Sequence, residues 1–393
     1  MSPSSTSSSD PPRGRPQPEE AATAKASDER AETPTGATVS DERPEGPTRA
    51  TATNERAESP TTAASSSRRA LLLCIGLLLL LEVGAARRDW LWRIDPRRPV
   101  GILLEVEDRI IAPAGDLRVV VLGSSVMRDA LLPRVFEQAA GLPEGSAVNT
   151  SLPNATPFDF VLLYERNRAA FRRARLMLVG VEEWFLFEEP DVSERYHRWA
   201  SLSERLADYE GSARLPLLVS WVWQTYAARQ SLAIEGLAAA LRGERADVIG
   251  DDGRTRWRPQ EQAVGPESFP MAAYEARLRE RRWRDPQVRY LAELATLATA
   301  DELPLVLVRM PMRATAMAAR ERVDPGAEPR LQEALQAARR AAPATRVLDL
   351  PVGGPIGLGD RHFLDERHLG TDGAVIFSPF LAEWALRLYD LGS

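Results

Sequence analysis

From Leu117 onward, short apolar runs alternate with longer stretches of helical spacing. The runs are Arg118–Leu122, Ala147–Asn149, Leu176–Val181, Pro304–Arg309 and Arg346–Leu350. A strand with one wet face alternates apolar and polar residues. An unbroken Val/Leu run instead marks a strand buried on both faces, as in a parallel sheet. The stretches between predict helices over Met127–Ala140, Phe158–Phe171, Val288–Ala300, Arg330–Ala342 and Thr371–Tyr389. Pro133 marks a regular helix start and Gly141-Leu142-Pro143 a stop. The last helix carries a buried stripe of Phe377, Phe380, Leu381, Trp384 and Leu388. Strands alternating with helices in this way predict an α/β fold with a doubly wound parallel sheet. Such sheets carry their sites at the carboxyl ends of the strands.

Two regions depart from this rhythm. The first is the insertion over residues 186–285, between the third and fourth strands. It has helical patches at Leu202–Tyr209 and Leu217–Leu241 and a Gly/Asp-rich loop at Gly250–Arg258. Most tryptophans lie in it or at its edge: Trp184, Trp199, Trp221, Trp223, Trp257 and Trp283. Two readings are open: a small core of the insertion itself, or a wall for a sugar or acyl group.

The second is the N-terminal part. Met1–Ser67 is rich in Ser, Thr, Pro, Ala and Glu, has no aromatic residue, Leu or Ile, and predicts a disordered tail over 1–68. Ala70–Ala86 is apolar on all sides and bracketed by Arg68-Arg69 and Arg87-Arg88. At roughly 17 residues it reaches the lower limit of a bilayer span, with Glu82 snorkelling to the interface. Trp90 and Trp92 follow as an interfacial pair. A single transmembrane helix over 69–88 is expected, against a cleaved signal peptide or a buried helix. A connector over 89–116 then leads to an α/β domain over 117–393, with one strand-like piece at Val100–Leu104. Arginines crowd the C-terminal flank, which argues for a cytoplasmic domain by charge alone.

Composition narrows the chemistry. The chain has 393 residues and a net charge of −6, with no basic, aromatic-laced domain for nucleic acid. Its one cysteine, Cys74, lies in the apolar run, so no disulfide framework or cysteine metal site is available within one chain. No cofactor or metal is expected. There are three histidines, His197, His362 and His368, so histidine-dependent chemistry must use one of them.

Gly123-Ser124-Ser125 ends the first strand. A glycine there permits a sharp turn and close approach, and the following helix start suits an oxyanion. A serine at this place is either a nucleophile or a helix cap. Near the other end, Phe363-Leu364-Asp365-Glu366-Arg367-His368-Leu369 puts an Asp three residues before a His, a spacing that can orient the imidazole. His362 has Asp360 nearby and is the competitor. His197, in the insertion, reads as a surface residue.

Over about Leu117–Tyr389 the chain resembles the SGNH (GDSL-like) serine hydrolases and acyltransferases. The resemblance rests on VVVLGSS, with Ser124 in the family's Asp slot, and on DERHLGTDGA, similar to the family's C-terminal Asp-x-x-His block. It implies a three-layer flavodoxin-like sandwich, the SGNH hydrolase fold. It implies Ser125 as nucleophile, His368 as general base and Asp365 as the orienting carboxylate. Two blocks depart from the pattern. Where the family presents an oxyanion glycine, this chain has VNTSLPNATP, leaving Asn149 and Asn154 as candidates. Where the family has an Asn donor, the third strand runs into Glu182-Glu183, so Glu182 joins them as an oxyanion or substrate candidate. A carboxylate cannot donate unless protonated. The resemblance implies an esterase or O-acyltransferase of envelope carbohydrate, with the α/β domain outside the cytoplasm and other envelope proteins as possible partners. The alternative is a weak or inactive binding or scaffold protein on the same fold.

Overall fold

A computed structural model describes residues 61–86, 88–186, 193–211, 214–230, 271–280, 283–350 and 357–389, with isolated positions besides. Most of the expected tail, the Gly250–Arg258 loop with Trp257, and much of the Gly353–Gly359 loop lie outside the described residues.

Five strands form one sheet: β1 (Val119–Leu122), β2 (Ala147–Asn149), β3 (Leu176–Val181), β4 (Leu305–Arg309) and β5 (Arg346–Leu348). All pairings are parallel and the order is β2-β1-β3-β4-β5. Alternate side chains leave opposite faces of each strand, and here both faces are dry. Val120, Leu122, Met177, Val179, Leu305 and Leu307 enter one core; Val119, Val121, Leu176, Leu178, Val306 and Val308 enter the other. That is why the runs are continuous in sequence. The first core is closed by α2 (Pro99–Val106), α5 (Pro157–Arg166), α12 (Asp285–Ala300) and α14 (Ala327–Ala341). The second is closed by α3 (Ser125–Ala130), α4 (Pro133–Ala140) and α15 (Thr371–Leu386). The result is a three-layer α/β sandwich with a flavodoxin-like strand order. Its order reverses between β1 and β3, so the loops after these two strands diverge and leave a crevice.

Local chemistry sets the element ends. Gly141 terminates α4 in left-handed geometry at φ 63°. Pro157 opens α5, and Asp159 Oδ2 accepts from Thr156 N at 2.8 Å in a capping box.

Two expectations are corrected. Val100–Leu104 is not a strand but part of α2, which begins at Pro99. It is apolar all round because it is buried all round, and periodicity cannot separate such a helix from a buried strand. The helix containing the apolar run, α1, spans Thr61–Leu80, so it starts inside the expected tail; Leu81–Ala86 continues it as a π-helical turn. Among the described residues no helix is long and apolar enough to cross a membrane.

Gly123 and Gly180 matter for packing, not for turning. A Cβ on Gly123 would stand 2.4 Å from Met127 Cβ, and one on Gly180 would stand 2.5 Å from it. Neither glycine has a positive φ. The missing side chains let α3 settle directly onto the ends of β1 and β3. Gly180→Ala is therefore expected to lower stability by about 1–3 kcal/mol through overpacking. Thermal unfolding of the full chain checks this, and adding Met127→Ala should recover part of the loss.

Candidate active site

The two serines after Gly123 divide the roles that the sequence left open. Ser124 is the N-cap of α3, and its Oγ accepts from Val126 N at 3.1 Å. Ser125 is the first helical residue, so its hydroxyl is released from capping. Ser125 Oγ lies 2.8 Å from His368 Nε2. His368 Nδ1 lies 2.7 Å from Asp365 Oδ2. The turn from Asp365 to His368 is itself closed by the same carboxylate: Oδ1 accepts from Arg367 N at 2.9 Å and from His368 N at 2.8 Å. An antiparallel bridge between Phe363 and Leu369 holds the base of the loop. Two stretches separated by more than half the chain thus meet in one hydrogen-bonded row.

Electrostatics follow the same geometry. Burial works against ionisation of Asp365, but the hydrogen bonds and charge from His368 and the backbone N–H groups outweigh it and hold the carboxyl at about 2. Burial likewise disfavours the His368 cation. The hydrogen bond and charge of Asp365 prevail, and the imidazole stands above its ordinary value. The fold thus gains from the Asp365 anion above the usual carboxylate range and loses that gain as pH falls toward 2. Its gain from the His368 cation is complete below the ordinary imidazole range and disappears as pH rises through the raised value.

Glu182, at the end of β3, faces the site but offers no donor. Its Oε1 accepts from Ser124 Oγ, and its Oε2 accepts from Arg367 Nη1 at 3.0 Å. One carboxylate therefore joins the residue before Ser125 to the residue before His368. Arg367 also lies over the Trp184 ring, 4.4 Å from its centroid, and Trp184 stacks on Tyr274. Glu182, Trp184, Tyr274, Met310, Met312 and Arg367 line a small pocket beside the triad. Tyr274 belongs to α11 (Met271–Glu280) of the insertion.

The oxyanion candidates separate clearly. Asn149 is 2 % exposed, and its Nδ2 donates to Leu131 O at 3.0 Å and toward Arg128 O and Met127 O. It ties β2 to the end of α3, so it is corrected from donor to structural tie. Asn154 is exposed, with a left-handed φ of 49°. Its loop is clasped by buried Arg195 of α7 (Glu194–Trp199), which donates to Pro153 O and Asn154 O and pairs with Asp159. Among these candidates, Asn154 is the one left with a donor to offer.

The other histidines do structural work. His362 is buried, and its Nδ1 accepts from Gly359 N at 2.8 Å. His197 is not a free surface residue: its Nδ1 lies 2.9 Å from Ser220 Oγ. Sequence reasoning did not find Arg367, although it lies inside the Asp-x-x-His block; a cation beside a triad histidine facing a β3-end glutamate was the available signal. The tryptophans also divide. Trp199 and Trp283 pack against the main core, Trp184 lines the pocket, and Trp221 and Trp223 are exposed.

No protein-family model matches the chain. No curated protein matches it either.

Two results are expected. In an NMR titration, the His368 ring should titrate above ordinary histidine, and Asp365→Asn should move its midpoint down. Glu182→Ala, which strands Ser124 and Arg367, should cost roughly 1–3 kcal/mol in denaturant unfolding; Glu182→Gln should cost less.

Proposed function

We propose that the chain is a membrane-anchored serine esterase or O-acyltransferase of the SGNH type, acting on acyl esters of envelope carbohydrate. The observation that carries this reading is the Ser125–His368–Asp365 row, with 2.8 and 2.7 Å contacts at the crevice of a parallel sheet. In this reading His368 Nε2 takes the Ser125 proton as Oγ attacks the acyl carbonyl. The imidazolium formed is stabilised by the Asp365 carboxylate, which stays ionised. His368 then returns the proton to the leaving alkoxide, and an acyl group remains on Ser125 Oγ. Attack by water on that ester gives hydrolysis, and attack by a sugar hydroxyl gives transfer. Helix α3 begins at Ser125, so its first backbone N–H is directed toward the developing oxyanion, with Asn154 as a second donor.

The membrane part of the proposal rests on the apolar stretch Ala70–Ala86, which runs without a break through α1 and the following π-helical turn. In this reading it is a single span, and the α/β domain lies on the extracytoplasmic side among other envelope proteins. Small acyl esters and acylated carbohydrate are the substrates, with no nucleic acid and no cofactor.

A second reading is favoured by Glu182. It occupies the place of a neutral donor in the resembled family, and both its oxygens are engaged as acceptors. Losing one oxyanion donor costs about 10²–10³ in rate. The second reading is a catalytically weak or silent binding protein on the same fold.

The full chain, in detergent, with p-nitrophenyl acetate separates the two. The catalytic reading expects turnover that drops at least about 10³-fold in Ser125→Ala, together with a fluorophosphonate adduct on Ser125. Turnover should fall as acidification protonates His368, with the midpoint displaced upward from ordinary histidine. Equal rates in wild type and Ser125→Ala, with no adduct, leave the binding-protein reading.

A further inference from the structure

The insertion between β3 and β4 contains a pair of helices with a large apolar outer face. In α9 (Arg214–Val222) and α10 (Gln224–Ala227), the buried residues facing the protein are Leu217, Ser220, Gln224 and Ala227, two apolar and two polar. Ser220 Oγ accepts from Arg205 Nη1 at 2.7 Å and contacts His197 Nδ1. Arg205 is itself 1 % exposed and also donates to Ala200 O, Leu217 O and His197 O. The residues facing outward are Leu215, Trp221, Val222, Trp223 and Tyr226, with Leu215 65 % and Val222 62 % exposed. A helix facing water keeps its large apolar groups inside; here five of them lie outside, over an inner face that is half polar.

This face is not isolated. Among the described residues, most large exposed hydrophobic side chains fall in two places, the apolar helix and its exit at Trp90, and the insertion near α9 and α10. The two places are joined by Glu82. The sequence suggests a snorkelling carboxylate; instead Glu82 is buried and caps α10. It accepts from Gln224 N at 2.7 Å, Thr225 N at 2.9 Å and Thr225 Oγ1 at 3.1 Å. The end of the apolar helix is thereby fixed beside Trp223 and Tyr226. Leu91, Trp92, Ala227 and Ala228 share one small core below the junction. Exposed Arg88 and Arg229 flank it.

From this we infer that α9 and α10 form a docking surface for a lipid bilayer, lying in the headgroup and upper acyl region beside the point where the apolar helix enters. The inference rests on the membrane reading of that helix. The occupant follows from three features: an apolar face continuous with the apolar helix, tryptophan and tyrosine at its rim, and flanking arginines for anionic headgroups. Tryptophan and tyrosine suit this depth because each has a large apolar body and a polar tip. The consequence for the proposed enzyme is geometric. The insertion that supplies Arg195 to the Asn154 loop and Tyr274 to the pocket is held at the membrane surface, so substrate is met there.

The test uses the full chain in phosphatidylcholine/phosphatidylglycerol vesicles. In a Cys74→Ser background, Val222→Cys carries an environment-sensitive fluorophore, and Val375→Cys, an exposed valine of α15, is the reference. Lipids spin-labelled just below the headgroup are the quenchers. The expected result is a blue shift at 222 and loss of roughly half or more of its emission, as for a group about 5–10 Å into the boundary, with 375 unaffected. Equal and small quenching at both positions overturns the inference. So does self-quenching at 222 that rises with protein density while lipid quenchers do nothing, which would assign the face to a second copy. A label on native Cys74 with a deep quencher reads the anchor separately. Quenching at 74 without quenching at 222 removes the docking surface alone; the reverse removes the anchor alone.

Discussion

Glu182 accepts from Ser124 Oγ on one oxygen and from Arg367 Nη1 on the other, and the site depends on that pair of bonds. Ser124 caps the helix that starts with Ser125, while Arg367 precedes His368 in a loop from the far end of the chain. The carboxylate at the end of β3 stands between them. It is 8 % exposed, so its hydrogen bonds meet little competition from water. The Asp365–His368 turn is also closed by its own backbone bonds and seated by Phe363 and Leu369 in the second core and by Arg313 N donating to Glu366 O; the Glu182 tie adds a direct link from this loop to the residue before Ser125.

The same residue shows how stability and chemistry compete here. A neutral donor at the end of β3 would serve an oxyanion better. A carboxylate there cannot donate, yet it satisfies a buried hydroxyl and a nearly buried guanidinium at once. In the proposed esterase reading, oxyanion stabilisation falls to the start of α3 and to the Asn154 loop. That loop is held in left-handed geometry by a buried ion pair, Arg195 with Asp159, which is strongly unfavourable to break once one partner is removed. The insertion is thus part of the site's framework, through Arg195 and Tyr274.

The buried serine of α9 has a related cause. Arg205 is buried, and burial lowers its pKa to about 10. A buried guanidinium needs most of its five N–H groups satisfied. Backbone carbonyls, Leu217 O of α9 among them, and Ser220 Oγ do so, which accounts for the serine beside Leu217 on the inner face of α9. Its outer face carries Leu215, Trp221 and Val222.

Much was legible in the chain itself. Continuous Val/Leu runs determined strands buried on both faces, because only a doubly covered sheet removes the need for alternation. Proline and glycine positions determined the ends of α4 and α5 through backbone sterics. The scarcity of histidine and the Asp365–His368 spacing determined which residues could form a relay. Other features needed tertiary structure. Val100–Leu104 is helical because burial on every side erases the periodicity that tells helix from strand. Asn149 is a tie because Leu131 O lies across from its side-chain amide, while Asn154 stays exposed in its loop, a matter of three-dimensional neighbours. Ser124 rather than Ser125 became the cap, and Glu182 became the clasp between distant segments. Local spacing specifies elements, but side-chain roles belong to contacts between residues far apart in the chain, and those exist only once the sheet order has brought them together.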